Sequence, residues 1–266
     1  MFKCLYMLLP ATLLLAACGG APLAPKPARL QAAEAAVLAA NRATQSGADA
    51  DASHYWREAW QAYASIDDWG GQGEARLGLA NSLVRQGERD EAVRILASMR
   101  GNELFSADLR ARATYQQALL QLATPDLAKA SLAQARALCG AACGWVARLD
   151  NLQARLAVQG GDYAGAGALL TRVLAAPGLP GGERAHALRL MAEVALHDGA
   201  LADARQRIDA AIVLDRQLAE PAYLVDDYVF LRRYAAAAGD EVLRTEAGQR
   251  LQSLCAVFSS AACSGN

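Results

Sequence analysis

The sequence contains few of the residues from which sheets and catalytic sites are built. Val, Ile and Thr together supply 22 of the 266 residues, which is too few for a substantial β-sheet. Phosphate-binding glycine loops, zinc-protease motifs and serine-hydrolase motifs are missing from the sequence. The three histidines stand in no catalytic or metal-ligand spacing. We therefore expect no enzymatic activity, no cofactor and no metal site.

Neither positive nor negative charge is in excess. The formal net charge is -1, and lysine occurs only three times, so arginine carries almost all of the positive charge. A balanced charge argues against bulk attraction to nucleic acid, which we do not expect as a partner. What the chain has in quantity is Ala, Leu, Arg, Glu and Gln, all strong helix formers. The composition predicts an all-α fold.

The N-terminus has the pattern of an export signal. Lys3 is followed by an apolar stretch from Leu5 to Ala17, which is shorter than the ~20 residues of a membrane-spanning helix. The stretch ends in Leu15-Ala16-Ala17-Cys18, which resembles the lipobox of bacterial lipoproteins. The alternative is an ordinary secretory signal with a chance cysteine.

The lipobox resemblance implies a signal peptide over 1–17 and a mature N-terminus at Cys18 that carries acyl chains. Residues 18–27 would form the anchor and a Gly/Pro-rich tether. Gly19 stands where an Asp would mark retention in the inner membrane of Gram-negative bacteria. The resemblance therefore favours an outer-membrane lipoprotein that faces the periplasm.

A Gly-x4-Ala signature recurs along the rest of the chain. Each copy has a small residue seven positions before the glycine and another five positions after it. The copies are Ala80-Gly87-Ala92, Ala154-Gly161-Ala166 and Ala192-Gly199-Ala204. A recurrence of this length is typical of stacked helical hairpins. Small residues at those two places let the helices of one hairpin approach closely.

This pattern resembles the tetratricopeptide repeat, with Gly161-Asp162-Tyr163 as its best turn. A further copy has Ala118 and Ala130 at the small positions and Pro125 at the turn, and a weaker one has Ala59. Around Gly239 the equivalent positions hold Arg232 and Arg244, so we expect a degenerate terminal hairpin. The resemblance predicts an antiparallel hairpin stack over 28–255, a tetratricopeptide-like α-solenoid, followed by a tail over 256–266. A generic hairpin stack is the alternative.

Four cysteines remain after the predicted cleavage and lipidation site. An oxidising compartment favours two disulfides, and the spacing pairs Cys139 with Cys143 and Cys255 with Cys263. The alternatives are a redox site, although Cys139 and Cys143 have CxxxC spacing rather than CxxC, and a zinc site, although no His lies nearby.

In the tetratricopeptide family the first helix of each hairpin lines a concave groove. Carried onto this sequence, that rule predicts a peptide-binding groove formed by Asn81, Arg112, Tyr115, Arg148, Asn151, Arg155 and Arg189. Arginine binds carboxylates through two parallel hydrogen bonds, so the expected ligand is an acidic or C-terminal peptide. The alternative is that these arginines are merely solvated.

The sequence thus predicts a non-enzymatic lipoprotein that acts as a protein-binding scaffold or adaptor in envelope assembly. Its partners would be an envelope protein or peptide and, through the lipid, a membrane. The alternative function is a periplasmic carrier or chaperone that holds a small ligand or a polymer in the groove.

Overall fold

A computed structural model describes residues 26–140, 143–258 and 261–263. Within these ranges the chain forms 12 α-helices, a short 3-10 turn and no strand, which confirms the all-α prediction. The helices are α1 Ala28–Gln45, α2 Asp49–Ala64, α3 Trp69–Arg85, α4 Arg89–Arg100, α5 Ala107–Leu120, α6 Pro125–Cys139, α7 Val146–Gln159, α8 Tyr163–Ala175, α9 Gly181–His197, α10 Leu201–Gln217, α11 Pro221–Ala238 and α12 Glu241–Cys255. The 3-10 turn covers Ala261–Cys263.

The three signature glycines form the turns of helical hairpins. Gly87, Gly161 and Gly199 have φ angles of 85°, 81° and 73°, a left-handed conformation that costs little only for glycine. In each turn the residue after the glycine donates a backbone hydrogen bond to a carbonyl five positions earlier. The helix ends are satisfied in this way, and the chain reverses into an antiparallel partner. The predicted hairpin stack is confirmed.

Small residues lie where the two helices of a hairpin cross. All but one of the alanines in the paired positions are at most 1% exposed, namely Ala80, Ala92, Ala118, Ala154, Ala166, Ala192 and Ala204. A larger side chain at any of them would push the backbones apart, because close helix crossings have no room for one. The spacing of the signature therefore follows from packing.

The register of the third hairpin differs from the prediction. Ala130 is exposed, whereas Ala128 is fully buried. The helix begins at Pro125, which suits the first helical position because proline lacks an N–H. Ala128 is then the fourth residue of its helix, as Ala92 is in α4.

The last hairpin departs from the repeat register, as the sequence predicts. The Arg244 side chain is 52% exposed, and the fully buried small residues of α11 and α12 are Ala235 and Ala247. Most of the remaining face of α12 is polar and exposed, as expected for the end of a stack.

A short loop joins α1 to α2. Helix α2 begins at Asp49, with Asp49 and Asp51 in its first turn. Acidic side chains at this end of a helix interact favourably with its dipole. Gly47 makes the turn at a φ angle of 73°. The loop therefore covers only three residues between α1 and α2.

The odd-numbered helices form one layer of the stack. Helix α3 contacts α5, α7 contacts α9, and α9 contacts α11, whereas no pair of even-numbered helices in the described part of the chain is in comparable contact. The exposed faces of α3, α5, α7, α9 and α11 are called here the odd-helix surface.

The apolar core is divided along the stack. Separate clusters of buried side chains join α1 to α5, α5 to α7, α7 to α9, and α9 to α12. The junction between α5 and α7 has little direct helix contact. Fewer buried apolar side chains join α5 to α7 than lie in the clusters of α1 to α5 and of α9 to α12. Among the described helices, none combines the length and the apolar character that a membrane crossing requires.

Candidate functional site

All seven predicted groove residues lie on odd-numbered helices. Asn81 is on α3, Arg112 and Tyr115 are on α5, Arg148, Asn151 and Arg155 are on α7, and Arg189 is on α9. Asn151 and Arg189 are buried, whereas the other five are exposed or half-buried on the odd-helix surface. Most of the charged ones have a partner within the protein.

Arg112 joins the second hairpin to the third. Its guanidinium makes two parallel hydrogen bonds to the carboxylate of Glu74 on α3, one of them at 2.8 Å between Nη2 and Oε2. Asp108, one turn earlier on α5, lies 3.7 Å from Nη1. The forked geometry that would recognise a ligand carboxylate is thus already occupied by Glu74.

Arg148 and Asn151 join the fourth hairpin to the fifth through a single residue. Arg148 Nε donates to Glu183 Oε1 at 2.5 Å. The Asn151 side-chain amide donates to the backbone carbonyl of Glu183 at 3.0 Å and to its Oε2 at 2.9 Å. Asn151 is 1% exposed. Its role here is to hold the start of α9 rather than to meet solvent.

Trp145 is a surface residue that the repeat register did not single out. The guanidinium carbons of Arg148 and Arg112 lie 4.2 Å and 5.1 Å from its ring centroid, within the range of cation–π attraction. Tyr115 meets the ring edge-on at 6.1 Å between centroids, and burial raises the pKa of Tyr115. Trp145 therefore bridges α5 and α7. A tryptophan just before a helix and beside a cysteine loop is a signal that could have been noted.

Arg189 is buried rather than free. It is 6% exposed, and Asp215 and Asp227 are both fully buried around it. Its Nε and Nη2 donate to Asp227 Oδ1 and Asp215 Oδ2, each at 2.6 Å. Tyr223 lies over the guanidinium at 5.4 Å.

Arg155 differs from the other groove arginines. It is half-buried on α7, and it forms no ion pair or hydrogen bond with any residue that the structure describes. It lines a cleft of about 190 Å³ between α7, α9 and α11. The other lining residues are His186, Arg189, Leu190, Glu193, Asp226, Val229, Phe230 and Arg233.

The electrostatics of this cleft are mixed. Burial, together with Arg189 and Arg155, lowers the pKa of His186 to about 3, so its imidazole is neutral and accepts a hydrogen bond from Arg189 at 3.3 Å. Burial raises the pKa of Asp226 against the effect of the two arginines. Glu193 is paired with Arg233. A ligand in the cleft would meet one unpaired guanidinium and one unpaired carboxylate, Asp226.

The remaining predicted positions have simpler surroundings. Asn81 is exposed. Cys139 and Cys143 have Cα atoms 5.1 Å apart, and Cys255 and Cys263 have theirs 5.5 Å apart, both within the range of a disulfide. No cluster of three potential ligands for a metal ion occurs in the described ranges. Cys18, with the signal and most of the tether, lies outside them.

No protein-family model and no curated protein matches the sequence. Among solved structures, the crystal structure of BtubC (BKLC) from P. vanneervenii is similar, with a TM-score of 0.52 and 16% sequence identity. The alignment covers 86% of this chain and 92% of that chain. At this identity the likeness concerns the fold alone. It supports a helical repeat architecture, while membership of the tetratricopeptide family stays a prediction.

Proposed function

We propose that this chain is a non-enzymatic adaptor that binds a peptide segment of another protein on the odd-helix surface. The observation that carries the proposal is Arg155, the predicted groove arginine that no carboxylate neutralises, in a cleft beside Asp226. The paired arginines, including Arg112 and Arg148, serve mainly to hold neighbouring hairpins together.

The chemistry of the cleft favours a peptide over a simple anion. Arg155 would bind a side-chain or C-terminal carboxylate through two parallel hydrogen bonds. Asp226 would accept a backbone N–H of the same segment, which an inorganic anion cannot offer. Val229 is 38% exposed at the cleft and offers an apolar surface to the neighbouring side chain. The volume of about 190 Å³ lies below the 300–1,000 Å³ of typical small-molecule sites.

Position-specific photocrosslinking in cells tests the adaptor proposal. A photoreactive residue at Val229 should capture a defined partner, whereas one at Val213 on α10, which is 51% exposed on the other layer, should not. The crosslinked segment should contain an Asp, a Glu or a free C-terminus. Equal capture at the two positions would count against the odd-helix surface.

Purified protein and a peptide of the captured segment then test the role of Arg155. Arg155→Ala should weaken binding about 10-fold to 100-fold, because a charge-assisted hydrogen bond contributes roughly 1.5–3 kcal/mol. Arg172→Ala, an exposed arginine on α8, is the matched control and should bind like the unaltered protein. Unchanged affinity in Arg155→Ala would refute the assignment.

A carrier function is the second candidate, favoured by a cleft of about 410 Å³ between α6 and α7 near the start of α8. Its apolar part includes Leu132 and Leu156, and Lys129, Arg136 and Asp162 lie around it. A volume of this size suits a small ligand. Native mass spectrometry of the purified protein separates the two functions, since a retained small molecule supports the carrier and a ligand-free protein supports the adaptor.

We further propose that acyl chains on Cys18 hold the adaptor at the outer membrane. The support is the lipobox-like Leu15-Ala16-Ala17-Cys18 sequence with Gly19 after it. Cys18→Ala should abolish the added lipid mass on the N-terminal fragment and release the protein from membranes. Gly19→Asp should move the lipidated protein to the inner membrane, while Gly19→Ser should not. Lipid-free protein in the unaltered chain would overturn this proposal.

A further inference from the structure

Three charged side chains are removed from solvent where α9, α10 and α11 meet. Arg189 is 6% exposed, and Asp215 and Asp227 are fully buried. Arg189 donates to one oxygen of each carboxyl group at 2.6 Å. One positive charge therefore faces two groups that would each be negative if ionised. A second uncompensated negative charge in such a place is costly, because burial disfavours the charged form.

The other oxygen of each carboxyl group has no partner within the described protein. Asp215 Oδ1 and Asp227 Oδ2 are both buried and unsatisfied. The two carboxyl groups are within hydrogen-bonding reach of each other. Two ionised carboxylates are acceptors only and cannot bond to each other, whereas a protonated one has an O–H to donate. One added proton would let one carboxyl group donate a hydrogen bond to the other and would remove the excess negative charge.

We propose that Asp215 and Asp227 share one proton, which together with Arg189 holds the last two hairpins to each other. The proton joins α10 to α11, and Arg189 joins both to α9. Pairs of carboxyl groups at one site commonly share a proton in this way.

Charged and titratable groups from α7, α9, α11 and the turn before α11 surround the shared proton. From α9 the pair meets Arg189, and the adjacent His186 is neutral because its pKa is lowered to about 3. From α11 and the turn before it, Asp226 and Glu220 add negative potential near Arg189 and Asp215. Arg155 of α7 acts on His186 and Asp226 across the cleft. Burial raises the pKa of Asp227 to about 7 and also raises that of Asp215.

The sign of the pH dependence follows from where the proton is released. The unfolded chain loses the corresponding proton near pH 4, whereas the folded chain keeps it to about pH 7. Between these values the folded state binds more protons, so stability falls as pH rises through this window and levels off above it. This is the reverse of the usual behaviour of carboxylates in ion pairs.

Thermal unfolding of the full mature chain between about pH 5 and about pH 8 tests the proposal. The unaltered protein should lose stability as pH rises. Asp215→Asn should fold and show a much smaller loss, because the asparagine amide permanently donates where the proton was and its oxygen still accepts from Arg189. Asp209→Asn, an exposed carboxylate of α10 paired with Arg205, is the control and should keep the full pH dependence.

An unchanged pH dependence in Asp215→Asn would overturn the shared proton. If that variant fails to fold, Asp227→Asn provides the same comparison. Infrared spectroscopy of the unaltered protein at about pH 6 gives an independent reading, since a protonated carboxyl group has its own carbonyl band. That band should be present at pH 6 and disappear above about pH 8, and its absence at pH 6 would equally refute the proposal.

Discussion

Two junctions of the same stack are held together by different means. Where α9 meets α11, one continuous apolar cluster spans α9 to α12, and the charged groups at its centre are buried around Arg189. Where α5 meets α7, direct helix contact is slight, and Trp145 bridges the helices between Arg112 and Arg148. Each junction joins a hairpin with the full signature to one that departs from it, at Pro125 or around Gly239, so the signature alone does not determine how stability is distributed.

The difference predicts which part of the stack should unfold locally first. In repeat proteins each hairpin contacts only its neighbours, so stability is a sum of local terms. The buried apolar cluster that joins α5 to α7 is smaller than the one that spans α9 to α12, so it contributes less through buried apolar area. We therefore expect the α5–α7 junction to exchange its amide hydrogens before the α9–α11 junction does.

The largest effect should come from Arg189→Ala. Removing the guanidinium leaves two buried carboxyl groups without their donor. Removing one partner of a buried ion pair typically lowers the free energy of unfolding by about 3–5 kcal/mol. Chemical denaturation at about pH 7 measures it. Arg233→Ala removes an arginine from the same junction, but its pair with Glu193 is exposed, so it should lose well under half as much. A loss below about 1 kcal/mol in Arg189→Ala would contradict the buried network.

The comparison of the two junctions is sharpened by Trp145→Ala. The tryptophan is half-buried, and its loss removes two cation–π contacts and the edge contact with Tyr115, together worth about 2 kcal/mol. Hydrogen exchange should rise in α5 to α7 and stay unchanged in α9 to α12. Uniform faster exchange along the whole chain would mean that the stack unfolds as a single unit instead.

The smallest effect should come from Arg148→Ala. This side chain is 44% exposed, and an exposed ion pair contributes about 0–1 kcal/mol. Asn151 continues to hold Glu183 through its backbone carbonyl, which further limits the loss. Chemical denaturation measures the change, and addition of salt to the unaltered protein should reproduce part of it. A loss above about 2 kcal/mol would place this arginine in the same class as Arg189.

Local chemistry made much of the fold predictable. Gly87, Gly161 and Gly199 had to be turns because their positive φ angles suit glycine. The paired alanines had to be crossing points because nothing larger fits. The errors came from two different causes. Pro125 starts α6 and places the buried small residue at Ala128. The Gly239 turn has the same left-handed glycine as the other turns, yet its hairpin buries Ala235 and Ala247, so a conserved turn does not by itself fix which small residues are buried.

The candidate site was predictable only as a set of positions. The register correctly placed Arg112, Arg148 and Arg189 on the odd-numbered helices. It could not show that Glu74, Glu183 and Asp227 reach these arginines from neighbouring hairpins, 35 to 38 residues away in sequence. Such pairings depend on how far one hairpin is rotated against the next. Arg155 stands out only after they are known.

The sequence by itself determined the helices, the turns and most of the small residues that pack between helices. Helix propensity, glycine conformation and side-chain size decide these features because they act over a few residues. Tertiary structure decided which charged groups remain available. The energy of a charge depends on its distance from other charges and on its exposure to water, and both are set by packing between hairpins. The same residue type therefore forms a buried ion pair at Arg189, an exposed ion pair at Arg148 and no ion pair within the described residues at Arg155.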